Sequence, residues 1–112
     1  MAMVKVLFVI ISNDVKMDLA LTMAANSVGT NRFEDIKVIF WGPAQERLLK
    51  LEGAARDNFE KLLRAGAVDS GCVNYARGRN IEGSLVQIGL RLAPAGERIA
   101  YYMNNGYQVL IF

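Results

Sequence analysis

The segment Met3-Val4-Lys5-Val6-Leu7-Phe8-Val9-Ile10-Ile11-Ser12-Asn13-Asp14 decides the fold. From Met3 to Ile11 the apolar residues, many of them β-branched, run on almost without interruption. A strand with one solvated face would alternate, so this run reads as a central parallel strand covered by helices on both faces. Ser12-Asn13-Asp14 then offers helix N-caps, and Met17, Ala20, Leu21, Ala24, Ala25 and Val28 recur at helical spacing up to Gly29. The chain therefore opens as strand, loop and amphipathic helix. Val6 to Ile11 is too short for a signal-peptide core and has no small-residue cleavage site, so it is assigned to the fold.

Further along, Asp35 to Trp41 repeats the strand signal, and Gly42-Pro43 ends it with a proline placed to start a helix. Helical pieces follow over Ala44 to Leu51 and Ala55 to Ala65, with Gly53 breaking them and Gly66 capping the second. Ala67 to Cys72 is a short third strand, and Asn74 to Asn80 has helical composition. A helical turn near Ser84 to Gln87 precedes a fourth strand at Gly89 to Ala93, ended by Pro94. At the C-terminus, Asn105-Gly106 between apolar runs is a hairpin signal. The preferred alternative is a helix over Ala95 to Asn104, with Gly106 just past its end, and a last strand from Tyr107 to Phe112. Met17, Met23 and Met103 fit helical core stripes in this reading. The expected fold is a single α/β domain over residues 1–112, three-layer α/β/α, with a mostly parallel five-stranded sheet and right-handed crossovers.

Composition narrows the function classes. With 53% apolar and 21% charged residues over 112 positions, the chain is far from the profile of a disordered protein. Its net charge of +2 arises from interspersed residues, with no polybasic run of the kind that binds nucleic acid directly or an anionic membrane. No stretch approaches the ~20 apolar residues of a membrane-spanning helix. The apolar share is high for a small monomer, which points to a homo-oligomer. One cysteine permits no intramolecular disulfide, in keeping with a reducing, cytoplasmic location.

In an open α/β sheet the chemistry gathers in the loops after the strands. Three such loops stand out: Ser12-Asn13-Asp14, Trp41-Gly42-Pro43 and Cys72-Val73-Asn74. Only the third holds a strong nucleophile. A cysteine at a helix start faces unpaired backbone N–H groups that favour the thiolate. Arg77 and Arg79, one to two turns on, add positive potential or bind an anionic sulfur donor if they fold back over Cys72. Against this stands the role of a buried cysteine as small apolar filler, and spacing alone leaves both open. Asn13 and Asp14 are candidates for the pocket floor or for N-capping, and Trp41 for a pocket wall or for core packing. Asn74 and Tyr75 are candidate supports of the sulfur, against capping and packing. No acidic pair is spaced for acid–base work, and no metal site or cofactor motif is evident.

Three rival chemistries fit less well. The first loop lacks the glycines that let backbone approach a pyrophosphate, and there is no Walker-type sequence for a nucleotide. A phosphatase-like C-x5-R loop would need arginine where Gly78 stands. A thioredoxin-type pair would need a second cysteine.

The segment Gly71-Cys72-Val73-Asn74-Tyr75-Ala76-Arg77-Gly78-Arg79-Asn80-Ile81 resembles the cysteine segment of the DsrE/DsrF-like sulfur-relay family. Lys5 to Ile10, Val38 to Pro43, Leu62 to Ala67 and Gly106 to Phe112 are similar in kind and order, so the likeness spans nearly the whole chain. The resemblance implies a three-layer α/β/α fold, trimeric or hexameric assembly, and roles in intracellular sulfur oxidation or tRNA thiolation. It also implies that Cys72 accepts sulfane sulfur as a persulfide from a donor protein and passes it to an acceptor protein, without metal or organic cofactor. The alternative is a non-catalytic interaction or assembly module of the same fold.

Overall fold

The computed structural model describes residues 3–112. The elements run β1 (Lys5–Ile10), α1 (Val15–Ser27), β2 (Asp35–Phe40), α2 (Pro43–Leu48), α3 (Gly53–Arg64), β3 (Val68–Cys72), α4 (Val73–Gly78), α5 (Glu82–Gln87), β4 (Leu92–Ala93), α6 (Ala95–Asn104) and β5 (Tyr107–Ile111). The strand order is β4-β3-β2-β1-β5, and every pairing is parallel. The sheet expected as mostly parallel is entirely so.

That order dictates the layers. β1 to β4 step across the sheet in one direction, so right-handed crossovers put α1 to α5 on one face. The return from β4 to β5 crosses the whole sheet in the other direction and puts α6 on the opposite face. Side-chain packing divides accordingly. Val6, Phe8, Ile10, Val38 and Phe40 pack with Met17, Leu21, Leu48, Phe59, Leu62, Ala76 and Leu85 from the five helices. Leu7, Val9 and Ile39, alternating with them along the same strands, pack with Tyr102 and Ile99 of α6. Each fully buried Phe, Leu or Ile contributes roughly 1.5–3 kcal/mol of transfer free energy. β1 needs apolar residues in succession because it feeds both cores.

Helix ends follow the glycines. After α3, Gly66 has φ +70, its N–H donates to Leu63 and the N–H of Ala67 donates to Leu62, a Schellman closure. Gly106, φ +83, occupies the corresponding place after α6. Asn105-Gly106 is thus a helix end, and β5 pairs in parallel with β1, so the hairpin alternative is excluded. Two expectations need correction. The fourth strand is only Leu92–Ala93, because α5 runs to Gln87 and Gly89 at φ +96 turns the chain into an extended approach. Met23 and Met103 lie on exposed helix faces, and only Met17 of the three methionines is core.

β3 carries one irregularity with consequences. Its pairing with β2 skips from Val38–Val68 to Ile39–Ser70, leaving Asp69 as an extra, bulged residue. Asp69 receives a bidentate ion pair from α6, with Arg98 Nη2 to Oδ1 at 2.8 Å and Nε to Oδ2 at 3.0 Å. Tyr102 donates its hydroxyl to Oδ1 at 2.6 Å, and Ser70 to Oδ2 at 2.8 Å. Burial pulls the Asp69 carboxyl upward, but its hydrogen bonds from Arg98, Tyr102 and Ser70 win and hold it at about 2. Burial and the same carboxylate push the Tyr102 hydroxyl up to about 12. This cluster ties α6 to the sheet.

Candidate functional site

Parallel register assembles the carboxyl edge. Phe40 pairs with Gly71, and Cys72 pairs with Ala93, so the chain emerges side by side at Trp41, Cys72 and Pro94. Cys72 ends β3 and is the N-cap residue of α4, with φ −75 and ψ 118. Pro94 is likewise the N-cap residue of α6. Between these ends lies an open cleft of about 550 Å³. Cys72 borders it, with Trp41, Asn74 and Tyr75 on one side and the first turn of α6, from Pro94 to Glu97, on the other. Cys72 is 6% exposed, recessed among these groups but facing open space.

Gln45 holds this edge in shape. It is wholly buried at the third position of α2; its Oε1 accepts from the N–H of Gly42 at 2.9 Å, and its Nε2 donates to the carbonyl of Cys72 at 2.9 Å. One side chain therefore fixes both the turn after β2 and the end of β3. Gly42 has φ +76 and requires glycine for the sharp exit from β2. Gly71 is required for a different reason, since a Cβ there would lie 2.7 Å from Leu90 Cδ2 and 3.2 Å from Gln45 Nε2.

The remaining candidates fall into separate places. Tyr75 donates its hydroxyl to Glu46 Oε2 at 2.9 Å, and burial, reinforced by that carboxylate, raises its ionisation above the usual tyrosine range. Arg79 stacks over the Tyr75 ring at 5.2 Å and pairs with Glu46 at 3.5 Å. Arg77 pairs with Glu82 at 3.3 Å on the surface. Neither arginine lines the cleft, so the expectation that they fold back over the cysteine is not met: carboxylates nearer to hand attract both. Asp14 caps α1, accepting from the N–H of Lys16 at 2.9 Å. Asn13 borders a different hollow, of about 270 Å³, with Asp18, Arg47 and Lys50. The first loop thus stands apart from the cysteine.

Gln45, Glu46 and the α6 turn were not anticipated. Gln45 carried a signal, since Gly42-Pro43-Ala44-Gln45 places glutamine where a capping-box residue reaches back to the helix start. The α6 turn carried none, because only the long β4–α6–β5 crossover brings it over β3. Among the described residues no group of three or more His, Cys, Asp or Glu converges to hold a metal, and no helix is long and apolar enough to cross a membrane.

Comparison with known proteins bears on the fold. No family model and no curated protein matches the sequence. Among solved structures the chain is similar to a conserved protein of unknown function, BT1422 from Bacteroides thetaiotaomicron, with a TM-score of 0.78. The two share 16% identity over 95% of this chain and 93% of that one. At this identity the likeness is one of architecture.

Proposed function

We propose that this chain is a cytoplasmic sulfur-relay protein of the DsrE/DsrF-like kind, accepting and handing on sulfane sulfur as a persulfide on Cys72, in sulfur oxidation or tRNA thiolation. The observation that carries the reading is the position of Cys72 at the carboxyl edge of the sheet, beside an open cleft large enough for a partner's cysteine-bearing segment. The Cys72 thiolate attacks the outer sulfur of a donor persulfide; one S–S bond forms, the donor's S–S bond breaks, and the donor leaves as a thiolate that takes up a proton. An acceptor thiolate then attacks the outer sulfur on Cys72 in the same way, so sulfur moves without net oxidation and without a metal or organic cofactor. Trp41 and Tyr75 supply apolar walls that limit water at the persulfide, while Gln45 fixes the main chain that carries it. Homo-oligomeric assembly, trimeric or hexameric, and transient docking of donor and acceptor proteins belong to the same reading.

One observation favours the second reading, an interaction module without sulfur chemistry: Cys72 is almost wholly buried, as a packing cysteine would be. Mass spectrometry after incubation with polysulfide or a persulfidated donor separates the two. A relay protein gains about 32 Da, one sulfur, at Cys72 and loses it to an added thiol acceptor. Cys72→Ser abolishes the gain with folding and assembly intact. If wild type gains no mass while the chain stays folded, the module reading replaces the relay.

A further inference from the structure

The Cys72 cleft opens where the connections of the sheet part. β3 leaves for α4 on one face and β4 leaves for α6 on the other, so topology holds the crevice between them open. Eight residues line it, and Glu97 is the one charged group among them. Glu97 is exposed in the first turn of α6 and, among the described residues, has no ion-pair partner. The arginines that follow lining residues in sequence are committed elsewhere: Arg79 to Glu46, Arg77 to Glu82, and Arg98 to Asp69 through two of its nitrogens. The start of α6 brings roughly half a positive charge, whereas Glu97 brings a whole negative one in the same turn, so the cleft presents negative charge. An acid in a first turn favours the helix whatever binds nearby, yet its sign acts on anything that enters. Beside it Gly96 leaves open space, with nothing within 4 Å of where a Cβ would stand, so an incoming chain can lie close against α6.

We infer that this cleft selects its sulfur donor by charge: it takes a persulfidated cysteine that has a lysine or arginine beside it in a partner protein, with Glu97 as the counter-ion, and turns inorganic anions away. The inference rests on the relay reading of Cys72 and says which donors that relay admits. Thiosulfate makes the contrast plain. For Cys72 to take its outer sulfur, the thiolate would attack a dianion, the S–S bond would break, and sulfite, a second dianion, would leave. No cation lines the walls to meet either one. A persulfide next to an ammonium or guanidinium brings its own cation, and the thiolate released when its S–S bond breaks stays paired with that cation. Trp41, exposed at the rim, gives the cation and its methylene stem an aromatic surface. Glu97 is then a specificity-determining residue, in contact with the donor and apart from the sulfur being transferred.

Disulfide exchange at Cys72 reads this charge without using sulfur transfer. The full chain is mixed either with cystamine, whose ammonium groups flank its disulfide, or with dithiodiglycolate, whose carboxylates do. The Cys72 thiolate attacks one sulfur, a mixed disulfide forms, and the other half of the reagent leaves as a thiolate. Intact mass follows the rate, since the chain has one cysteine. Dividing the cystamine-to-dithiodiglycolate rate ratio of one protein by that of another cancels the intrinsic reactivity of the reagents. Glu97→Gln is expected to lower that ratio by about threefold or more and Glu97→Lys to lower it further, as removal and then reversal of a unit charge near the reacting sulfur require. In 1 M salt, where the screening length is ~3 Å, the difference between the proteins is expected to vanish. Glu52→Gln removes the same charge at the separate hollow beside Asn13 and is expected to leave the ratio at the wild-type value. A ratio unchanged by Glu97→Gln, or lowered equally by Glu52→Gln, overturns the charge selection, and so does a folded protein whose Cys72 reacts with neither reagent. Exchange needs no persulfide, so the two readings fail separately. An unchanged ratio with the gain of about 32 Da intact removes the selection and leaves the relay. A cleft that sorts the reagents yet gains no sulfur removes the relay and, with it, the donor assigned here.

Discussion

Gln45 Nε2 donates to the carbonyl oxygen of Cys72 at 2.9 Å across 27 positions of sequence, and this one bond sets where β3 ends. With Gln45 fully buried, its two main-chain partners have no water to turn to. Gln45→Met keeps the volume but leaves the Gly42 N–H and the Cys72 carbonyl unpaired, at ~1–3 kcal/mol for each group. The expected outcome is a loss of about 2–6 kcal/mol in urea unfolding, together with faster alkylation of Cys72 as the edge loosens. Unchanged stability and alkylation would mean that the bond has no part in holding the site.

Acid stability should report on the α6 anchor. The Asp69 carboxyl lies at about 2 in the fold against an ordinary 3.8, so the folded protein holds the ionised form more tightly than the unfolded chain does. Its contribution, on the order of 2 kcal/mol, is complete above pH ~4 and is lost as the pH falls towards 2. Tyr102 acts at the other end of the scale. Its hydroxyl, raised from 10 to about 12, adds stability that is complete below pH 10 and fades as the pH rises through 12. Asp69→Asn is expected to flatten the acid limb of unfolding free energy against pH, and Tyr102→Phe the alkaline limb. If neither limb changes in its variant, the cluster is not what anchors α6.

The parts legible in the sequence were those written in local pattern. The unbroken apolar run of β1 signalled two covered faces, and Gly66 and Gly106 marked helix ends through the positive φ they adopt. Cys72 falls at the end of β3 in the sequence because Ala67 to Cys72 is a short stretch between the helix end at Gly66 and the helical composition that follows it. What pattern could not supply was tertiary. The bulge at Asp69 has no local signature, and its ion pair with Arg98 spans 29 positions. The arginines after Cys72 looked like partners for a sulfur anion because sequence spacing says nothing about the nearer carboxylates of Glu46 and Glu82. The methionine stripe failed where α1 proved apolar on its outer face as well as its inner one.

Those arginine pairs give a direct expectation. Arg77 and Glu82 form an exposed pair, so Arg77→Ala should change stability by less than about 0.5 kcal/mol and leave sulfur loading of Cys72 within about twofold. Arg79→Ala also removes the stacking on Tyr75, worth about 0.5–1 kcal/mol at an exposed site. A tenfold fall in loading with Arg77→Ala would instead place that guanidinium over the cysteine during transfer.

Gly71 offers the sharpest test of how packing reaches the site. It sits in extended backbone, so the substitution Gly71→Ala is blocked by space alone: the new methyl would lie 2.7 Å from Leu90 Cδ2 and 3.2 Å from Gln45 Nε2. Leu90 is buried and has little room to swing aside, so overpacking of about 1–3 kcal/mol is expected. Because the clash falls on a methyl terminus, trimming that neighbour should relieve it, and Gly71→Ala with Leu90→Val should be more stable than the sum of the single changes by about 1 kcal/mol. Simple additivity would show that the two positions do not compete for space. Recovery of stability without recovery of the wild-type Cys72 alkylation rate would trace the residual disturbance to the second clash, where the added methyl displaces Gln45 from the carbonyl it holds.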